Sequence, residues 1–272
     1  MRFLKLRWLA ALLLLVAVIA YLSIRPSNDR DWAADQAVLP WAEIDGREIR
    51  VHNIRNATYR TAGDYDAAWY DKTYHLDRLE SLWFIVEPFA GWEGPAHTFV
   101  SFGFAGGEYL AVSVEIRKEK GEEFSAWKGL LRQYEIMYVL GDERDLIKLR
   151  SNFRGDDVYV YPVRAPREGI ERMLLAMLGR ANQLRERPEH YNTLTSTCTT
   201  NIVRHVNQID PERIPYRYEV FLPGFSDRLA YDLGLIDTDL PFEQARARFK
   251  INERARRWAD SPDFSTRIRQ PA

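Results

Sequence analysis

Residues 97–117 read HTFVSFGFAGGEYLAVSVEIR. Two alternating runs, His97 to Phe104 and Glu108 to Arg117, flank Ala105-Gly106-Gly107. Alternation marks a strand with distinct faces, and glycines between two such runs mark a tight reversal. The stretch therefore predicts a β-hairpin. If the turn centres on Gly106, the numbers of cross-strand partners sum to 212, so 99 faces 113, 101 faces 111 and His97 faces Glu115. Directly opposed residues on one face have Cβ atoms about 5 Å apart. Val100, Phe102, Leu110, Val112 and Val114 share the other face, which reads as a core face.

Four more segments read as strands: Arg47 to Ile54, Ser81 to Glu87, Tyr134 to Leu140 and Val158 to Val163. Residues 58–80 are aromatic and polar, with Tyr59, Tyr65, Trp69, Tyr70 and Tyr74. Asp142 is placed to cap a helix through Leu149. From Ile170 the period changes. Ile170, Leu174, Met177, Leu178, Ala181 and Leu184 line one helical face, and Ile202, Val203, Val206 and Ile209 do the same after Cys198. Residues 242–260 are basic and helix-like. Strands come first and helices later, which argues for an α+β fold.

The composition is that of a globular chain: of 272 residues, 46% are hydrophobic and 28% charged. It excludes a disordered tail, a collagen-like fibre and a disulfide scaffold, since Cys198 has no intramolecular partner. Lys and Arg number 38 against 39 Asp and Glu, so no general affinity for nucleic acid follows. The near-neutral total hides an asymmetry. Residues 1–25 carry Arg2, Lys5, Arg7 and Arg25 and no acid, which leaves residues 26–272 at about −5. Trp8 to Leu22 is unbroken apolar sequence, and with Ser23 and Ile24 it reaches 17 residues, the lower limit for crossing a bilayer. The basic flank puts the N-terminus in the cytoplasm. A cleaved signal peptide is the alternative, but Val18-Ile19-Ala20 is a poor cleavage site. The expected layout is an anchor over 1–25, a linker that becomes an ordered lead-in over 26–45, and one exported domain over 46–272.

The chemistry concentrates in residues 191–201, YNTLTSTCTTN, where hydroxyl and amide side chains surround the single cysteine. Ser196 or Thr197 can cap the following helix, which puts Cys198 in its first turn. The positive end of a helix dipole favours a thiolate, and free first-turn amides can receive an oxyanion. A buried structural cysteine is the competing reading. A thiol nucleophile needs a base, and the candidates are His52, His75, His97, His190 and His205. His205 lies two turns up the same helix, about 10 Å along the axis, and reads as a residue on a solvated face. His190 lies in the preceding loop. His97 gains weight because Glu115, set opposite it by the hairpin register, would orient the imidazole. An exposed His–Glu pair of little energetic consequence is the alternative. The run from Arg117 to Glu123 reads as a solvated strand end, and Asp142, Glu143 and Asp145 read as capping rather than cation binding. There is no metal-ligand spacing, phosphate loop or dinucleotide glycine pattern, so no cofactor or metal is expected.

HTFVSF, VSVEIRKEKGE, LRQYEIMYVLGDERD and YNTLTSTCTTNI, in that order, resemble the Lnb N-terminal periplasmic domain family of bacterial envelope proteins. WAEIDGREIRVHNIRNATYRT before them and LPGFSDRLAYDLGLID after them extend the resemblance over most of residues 40–240. It implies a permuted papain-like, NlpC-type domain, with an antiparallel sheet whose histidine strand precedes the nucleophile helix. It also implies a membrane-anchored, periplasm-facing lipoprotein N-acyltransferase, with the inner membrane, a phospholipid acyl donor and a diacylglyceryl lipoprotein acceptor as partners. The family's thiol mechanism would fall on Cys198 and His97, and the order His97, Glu115, Cys198 is consistent with that arrangement. A cysteine hydrolase acting on peptidoglycan amides or lipid esters, and a non-catalytic envelope-binding domain, are the other expectations.

Overall fold

The alternating segments assemble into one mixed sheet in a computed structural model that describes residues 2–89 and 94–270. Its strands are β1 (Trp41–Asp45), β2 (Glu48–Arg55), β5 (Trp69–His75), β6 (Leu79–Pro88), β7 (Ala96–Phe104), β8 (Glu108–Arg117), β9 (Glu135–Gly141) and β10 (Tyr159–Pro162), while β3 (Thr58–Tyr59) and β4 (Tyr65–Asp66) form a separate small hairpin. The order is β1-β2-β9-β8-β7-β6-β10, with β5 also paired to β2, and the pairs are antiparallel except for one parallel contact, Arg55 with Gly141. The helices are α1 (Arg2–Ser23), α2 (Ala126–Leu130), α3 (Glu143–Lys148), α4 (Arg167–Glu186), α5 (Cys198–Ile209), α6 (Tyr218–Phe221), α7 (Ser226–Asp232), α8 (Phe242–Phe249), α9 (Asn252–Arg257) and α10 (Phe264–Arg267). The fold is α+β, as expected. Among the described residues, α1 is the one helix long and apolar enough to cross a membrane.

Both faces of the sheet are covered. Val100, Phe102, Leu110, Val112 and Val114 pack with Leu174, Met177 and Leu178 of α4 and Ile202 of α5. Phe99, Ala111, Met137 and Val139 pack on the other side with Leu146 and Ile147 of α3, Ala255 of α9 and Phe264 of α10. The hairpin face that carries His97 is therefore interior and not a solvent face. Each buried leucine- or phenylalanine-sized side chain contributes about 1.5–3 kcal/mol of burial free energy, so two apolar layers lock the strand order from both sides.

The hairpin register is the one that a turn centred on Gly106 dictates. Val100 pairs with Val112, Ser101 with Ala111, Phe102 with Leu110 and Phe104 with Glu108. Gly106 and Gly107 take φ of 88° and 76°, values open to glycine and strained for other residues. The β7–β8 ladder stops at Val100/Val112. β7 continues along β6 to Ala96 opposite Pro88, and β8 continues along β9 to Arg117 opposite Glu135. The two strands part beyond that point, so His97 and Glu115 are not a ladder pair. Direct opposition, the sequence expectation, fails because each strand follows its other neighbour and the Ser113 side chain comes to lie between them.

Other boundaries differ from the sequence reading. Asp142 does cap α3, accepting from the Arg144 amide at 2.9 Å, but the chain then runs on as a π-helical turn, Leu149–Arg154, closed by Gly155 at φ 75°. The basic C-terminal helix is two helices broken at Lys250 and Ile251, because the Ile251 amide bonds the Val158 carbonyl and its side chain joins the core. The lead-in is ordered early, with Trp32 and Gln36 buried and β1 in the sheet. Arg117, expected at a solvated strand end, is only 2% exposed. It donates to the carbonyls of Gln36 at 3.0 Å and Ala37 at 2.9 Å and to Asn28 Oδ1 at 3.0 Å, and it stacks on Trp32 with 4.1 Å to the ring centre.

Arg117→Ala removes three charge-assisted bonds that hold the lead-in. We expect a loss of about 3 kcal/mol in urea unfolding and faster proteolysis within residues 26–40. An unchanged midpoint and cleavage pattern would contradict that role.

Candidate active site

The first turn of α5 is built by its own threonines. Thr197 is the cap: its Oγ1 accepts from the Thr200 amide at 3.2 Å, while Thr200 Oγ1 accepts from the Thr197 amide at 2.7 Å. This reciprocal arrangement ties two otherwise orphaned donors and starts the helix at Cys198. Asn201 reinforces it through Nδ2 to the Thr197 carbonyl at 2.8 Å. Among the described residues, the Cys198 and Thr199 amides have no hydrogen-bond acceptor. They are two donors at the positive end of the helix, beside the sulfur. Cys198 is 8% exposed, and Sγ has one polar contact among the described residues, Thr199 Oγ1 at 3.7 Å.

β7 connects this helix start to the histidine. Thr98 Oγ1 lies 2.9 Å from Thr199 Oγ1, both buried, so the strand grips the first turn of α5 from one face. Side chains alternate along a strand, and His97 therefore points to the other face. There its Nε2 lies 2.7 Å from Ser113 Oγ, and Ser113 Oγ donates to Glu115 Oε1 at 2.8 Å. Ser113 has one proton, and an ionised carboxylate can only accept. Ser113 must then accept from His97, which fixes the tautomer with hydrogen on Nε2 and the lone pair on Nδ1. His97 Nδ1 has no hydrogen bond among the described residues. The direct His97–Glu115 separation is 3.9 Å. Glu115 thus reaches the imidazole through Ser113.

Arg150, on the π-helical turn, holds the acidic end of this chain. Its Nε donates to Glu87 at 2.6 Å and a terminal nitrogen donates to Glu115 at 3.1 Å; Arg154 reaches Glu87 at 3.3 Å. Glu87 is the ladder partner of His97 on β6. Burial opposes the charge on Glu115, but the guanidiniums of Arg150 and Arg55 overcome it, and the carboxyl stays well below its ordinary range. Burial and the positive charge of Arg150 push His97 down from 6.5 to about 3, against the pull of Glu115. The imidazole is therefore neutral at neutral pH, with the lone pair on Nδ1 unengaged among the described residues.

A cavity of about 200 Å³ opens where β7 and β8 part. His97, Glu115 and Arg150 line it, as do Cys198, Ala96 and Val114 from the opposite face of the sheet. Phe89, Phe124, Leu149 and Tyr191 add apolar wall, and Asp35, Lys118 and Arg154 add charge. The thiol and the imidazole face one cavity, and no hydrogen bond joins them. The other histidines lie elsewhere. His52 stacks on Trp41 and bonds Asp71, His75 is exposed, and His190 contacts the Ile24 carbonyl. His205 is not on a solvated face. It is buried with Nε2 2.9 Å from the Tyr138 hydroxyl, because α4 covers that side of α5.

The sequence pattern alone does not single out Ser113, Arg150, Glu87 and Thr98. Ser113 had a local signal, since it is a polar residue inside the apolar run Leu110 to Val114 on the face of Glu115. Arg150 and Glu87 meet only after folding, across 63 residues of chain.

A family model described as the Lnb N-terminal periplasmic domain matches residues 65–224, more than half of the chain. The match spans β4 to α6 and so takes in His97, Ser113, Glu115, Arg150 and Cys198. No curated protein and no solved structure matches the chain.

His97 and His205 both titrate below an unfolded histidine, at about 3 and about 4, the latter through burial and then Arg180 and Arg204. Between about pH 6.5 and these values the unfolded chain binds more protons, so stability is full above about 6.5 and falls with acid. We expect the melting temperature to drop from pH 7 to pH 4 and His205→Gln to flatten that slope. A melting temperature independent of pH over this range would contradict it.

Proposed function

Because the chain belongs to the Lnb N-terminal periplasmic domain family, we propose that it is a membrane-anchored thiol acyltransferase. On this reading an acyl chain passes from a phospholipid to the N-terminal amine of a diacylglyceryl lipoprotein. The observation that carries the reading is the single cavity faced by a helix-start thiol and by a neutral imidazole whose far nitrogen is tied to Ser113 and Glu115.

Cys198 Sγ attacks the ester carbonyl carbon while His97 Nδ1 takes the thiol proton. The carbonyl oxygen becomes an oxyanion facing the free Cys198 and Thr199 amides. The carbon–oxygen bond breaks, His97 returns its proton to the leaving lysophospholipid oxygen, and a thioester remains on Cys198. The acceptor amine then attacks the thioester carbonyl, gives one proton to His97, and expels the Cys198 thiolate, which regains that proton. Glu115 stabilises the transient imidazolium through Ser113 and stays ionised. The order of His97 on a strand before Cys198 on a helix fits a permuted papain-like fold, with α1 as a single span in the bacterial inner membrane and the domain outside.

The cavity wall supports a lipid substrate because it is amphipathic: Phe89, Phe124 and Tyr191 suit acyl carbon, and Arg154 and Lys118 suit a phosphate. The same cations would also receive the carboxylates of a cell-wall peptide, which favours a cysteine hydrolase as the second reading. Transfer and hydrolysis differ in product, an N-acylated amine against a free acid.

In proteoliposomes with a diacylated lipopeptide, Cys198→Ala should abolish N-acylation. Ser113→Ala should lower its rate by about 100-fold through loss of the oriented base, with the fold intact by circular dichroism. Full transfer by Cys198→Ala would end the proposal, and release of free fatty acid or cleaved cell-wall peptide by wild type would replace it with hydrolysis.

A further inference from the structure

The domain exposes large apolar side chains on one side of the cavity. Trp127 on α2 is 76% exposed, Leu194 is 57% exposed, and Phe124 and Leu131 flank α2 with about half their surface in solvent. They form one patch. Thr193 Oγ1 donates to the Ala126 carbonyl at 2.8 Å, and an added Cβ on Gly129 would lie 3.2 Å from the Tyr191 ring. Gly129 therefore lets α2 lie flat against the 191–194 loop. Tyr191 and Phe124 line the Cys198 cavity, so the patch borders its mouth.

The chain leaving α1 arrives at this same patch. Tyr21 Oη donates to the Leu130 carbonyl at 3.3 Å, and the Arg132 guanidinium lies 4.6 Å from the Tyr21 ring centre. The Ile24 carbonyl, just past the helix, accepts from His190 Nε2 at 3.2 Å. Tyr21 is in the last turn of α1, and a tyrosine at the end of a membrane span sits at headgroup level. Residues hydrogen-bonded to it share that level. Aromatic and leucine side chains at such a boundary enter the headgroup–acyl region by about 5–10 Å.

We propose that Trp127, Leu131, Leu194 and Phe124 form a membrane seat that inserts into the periplasmic leaflet and holds the mouth of the Cys198 cavity on the lipid surface. The seat rests on the reading of α1 as a membrane span and deepens the lipid-substrate reading by naming how lipid reaches the thiol. An acyl donor then enters from the leaflet without crossing water, past Phe124. Arg132 and Lys128 lie beside the patch, where lipid phosphates would be.

The test uses the full chain in phosphatidylethanolamine–phosphatidylglycerol liposomes. In a Cys198→Ala background, spin labels on Trp127→Cys, Leu194→Cys and, as a water-exposed control, Asp239→Cys report accessibility. The seat predicts that labels at 127 and 194 collide with oxygen and are shielded from a nickel chelate, with the reverse at 239. Nickel access at 127 and 194 equal to that at 239 would overturn it. So would shielding from both reagents, which would mean that protein, such as a second copy, covers the patch. These measurements need no turnover, so they stand or fall apart from the acyltransferase reading. With Cys198 restored, Trp127→Glu with Leu194→Glu should lower any turnover of bilayer-embedded donor at least tenfold while iodoacetamide alkylates Cys198 at the wild-type rate. Unchanged turnover, or alkylation reduced in step with it, would also overturn the seat.

Discussion

A buried and a partly buried carboxylate share one buried cation, and the arrangement of the Cys198 cavity depends on it. Arg150 bonds Glu87 on β6 and Glu115 on β8 while its third arm reaches the Leu146 carbonyl. Removing either charge from such a cluster leaves the others uncompensated in a poor dielectric, at a cost of about 3–5 kcal/mol. The fork spans the very strands that flank β7. It therefore fixes the width of the gap in which His97 stands, and it sets the field there. Glu115 stays ionised, Ser113 is turned to donate to it, and His97 is left with hydrogen on Nε2 and stays neutral. Arg150 and Arg154, four residues apart on the π-helical turn, lie on the same side of it and both reach Glu87.

What could be read in the sequence was what short-range rules govern. The hairpin register follows from two glycines and alternation, and the start of α5 follows from threonines before an amphipathic run. Both depend on residues within about ten positions of each other. Asp142 as a cap belongs to the same class. The missed features depend on partners far along the chain. β5 has a polar, half-exposed surface and pairs only because β2 offers an edge. Arg117 is a solvated cation by composition and a buried clamp in fact, because the lead-in folds over it. His205 is buried because α4 lies against α5. His97 and Glu115 are linked through Ser113 rather than set face to face, since strand separation is a tertiary event that the turn does not dictate.

The two faces of one sheet carry different groups. The face under α5 supplies the thiol and two free amides, and the face under the π-helical turn supplies the oriented imidazole. They meet in a cavity because β7 and β8 separate at that point. A closed sheet would keep them apart. The cavity is part charged and part apolar, as a phospholipid is, and its apolar rim runs toward the end of α1.

The most direct measurement of the central claim is peptide mass spectrometry of the full chain after incubation with phospholipid and no amine acceptor. Thiol acyl transfer predicts a fatty acyl group on the Cys198 peptide, removed by hydroxylamine and discharged when a diacylated lipopeptide is added. An unmodified Cys198 peptide, under conditions where the same protein acylates the lipopeptide, would contradict it.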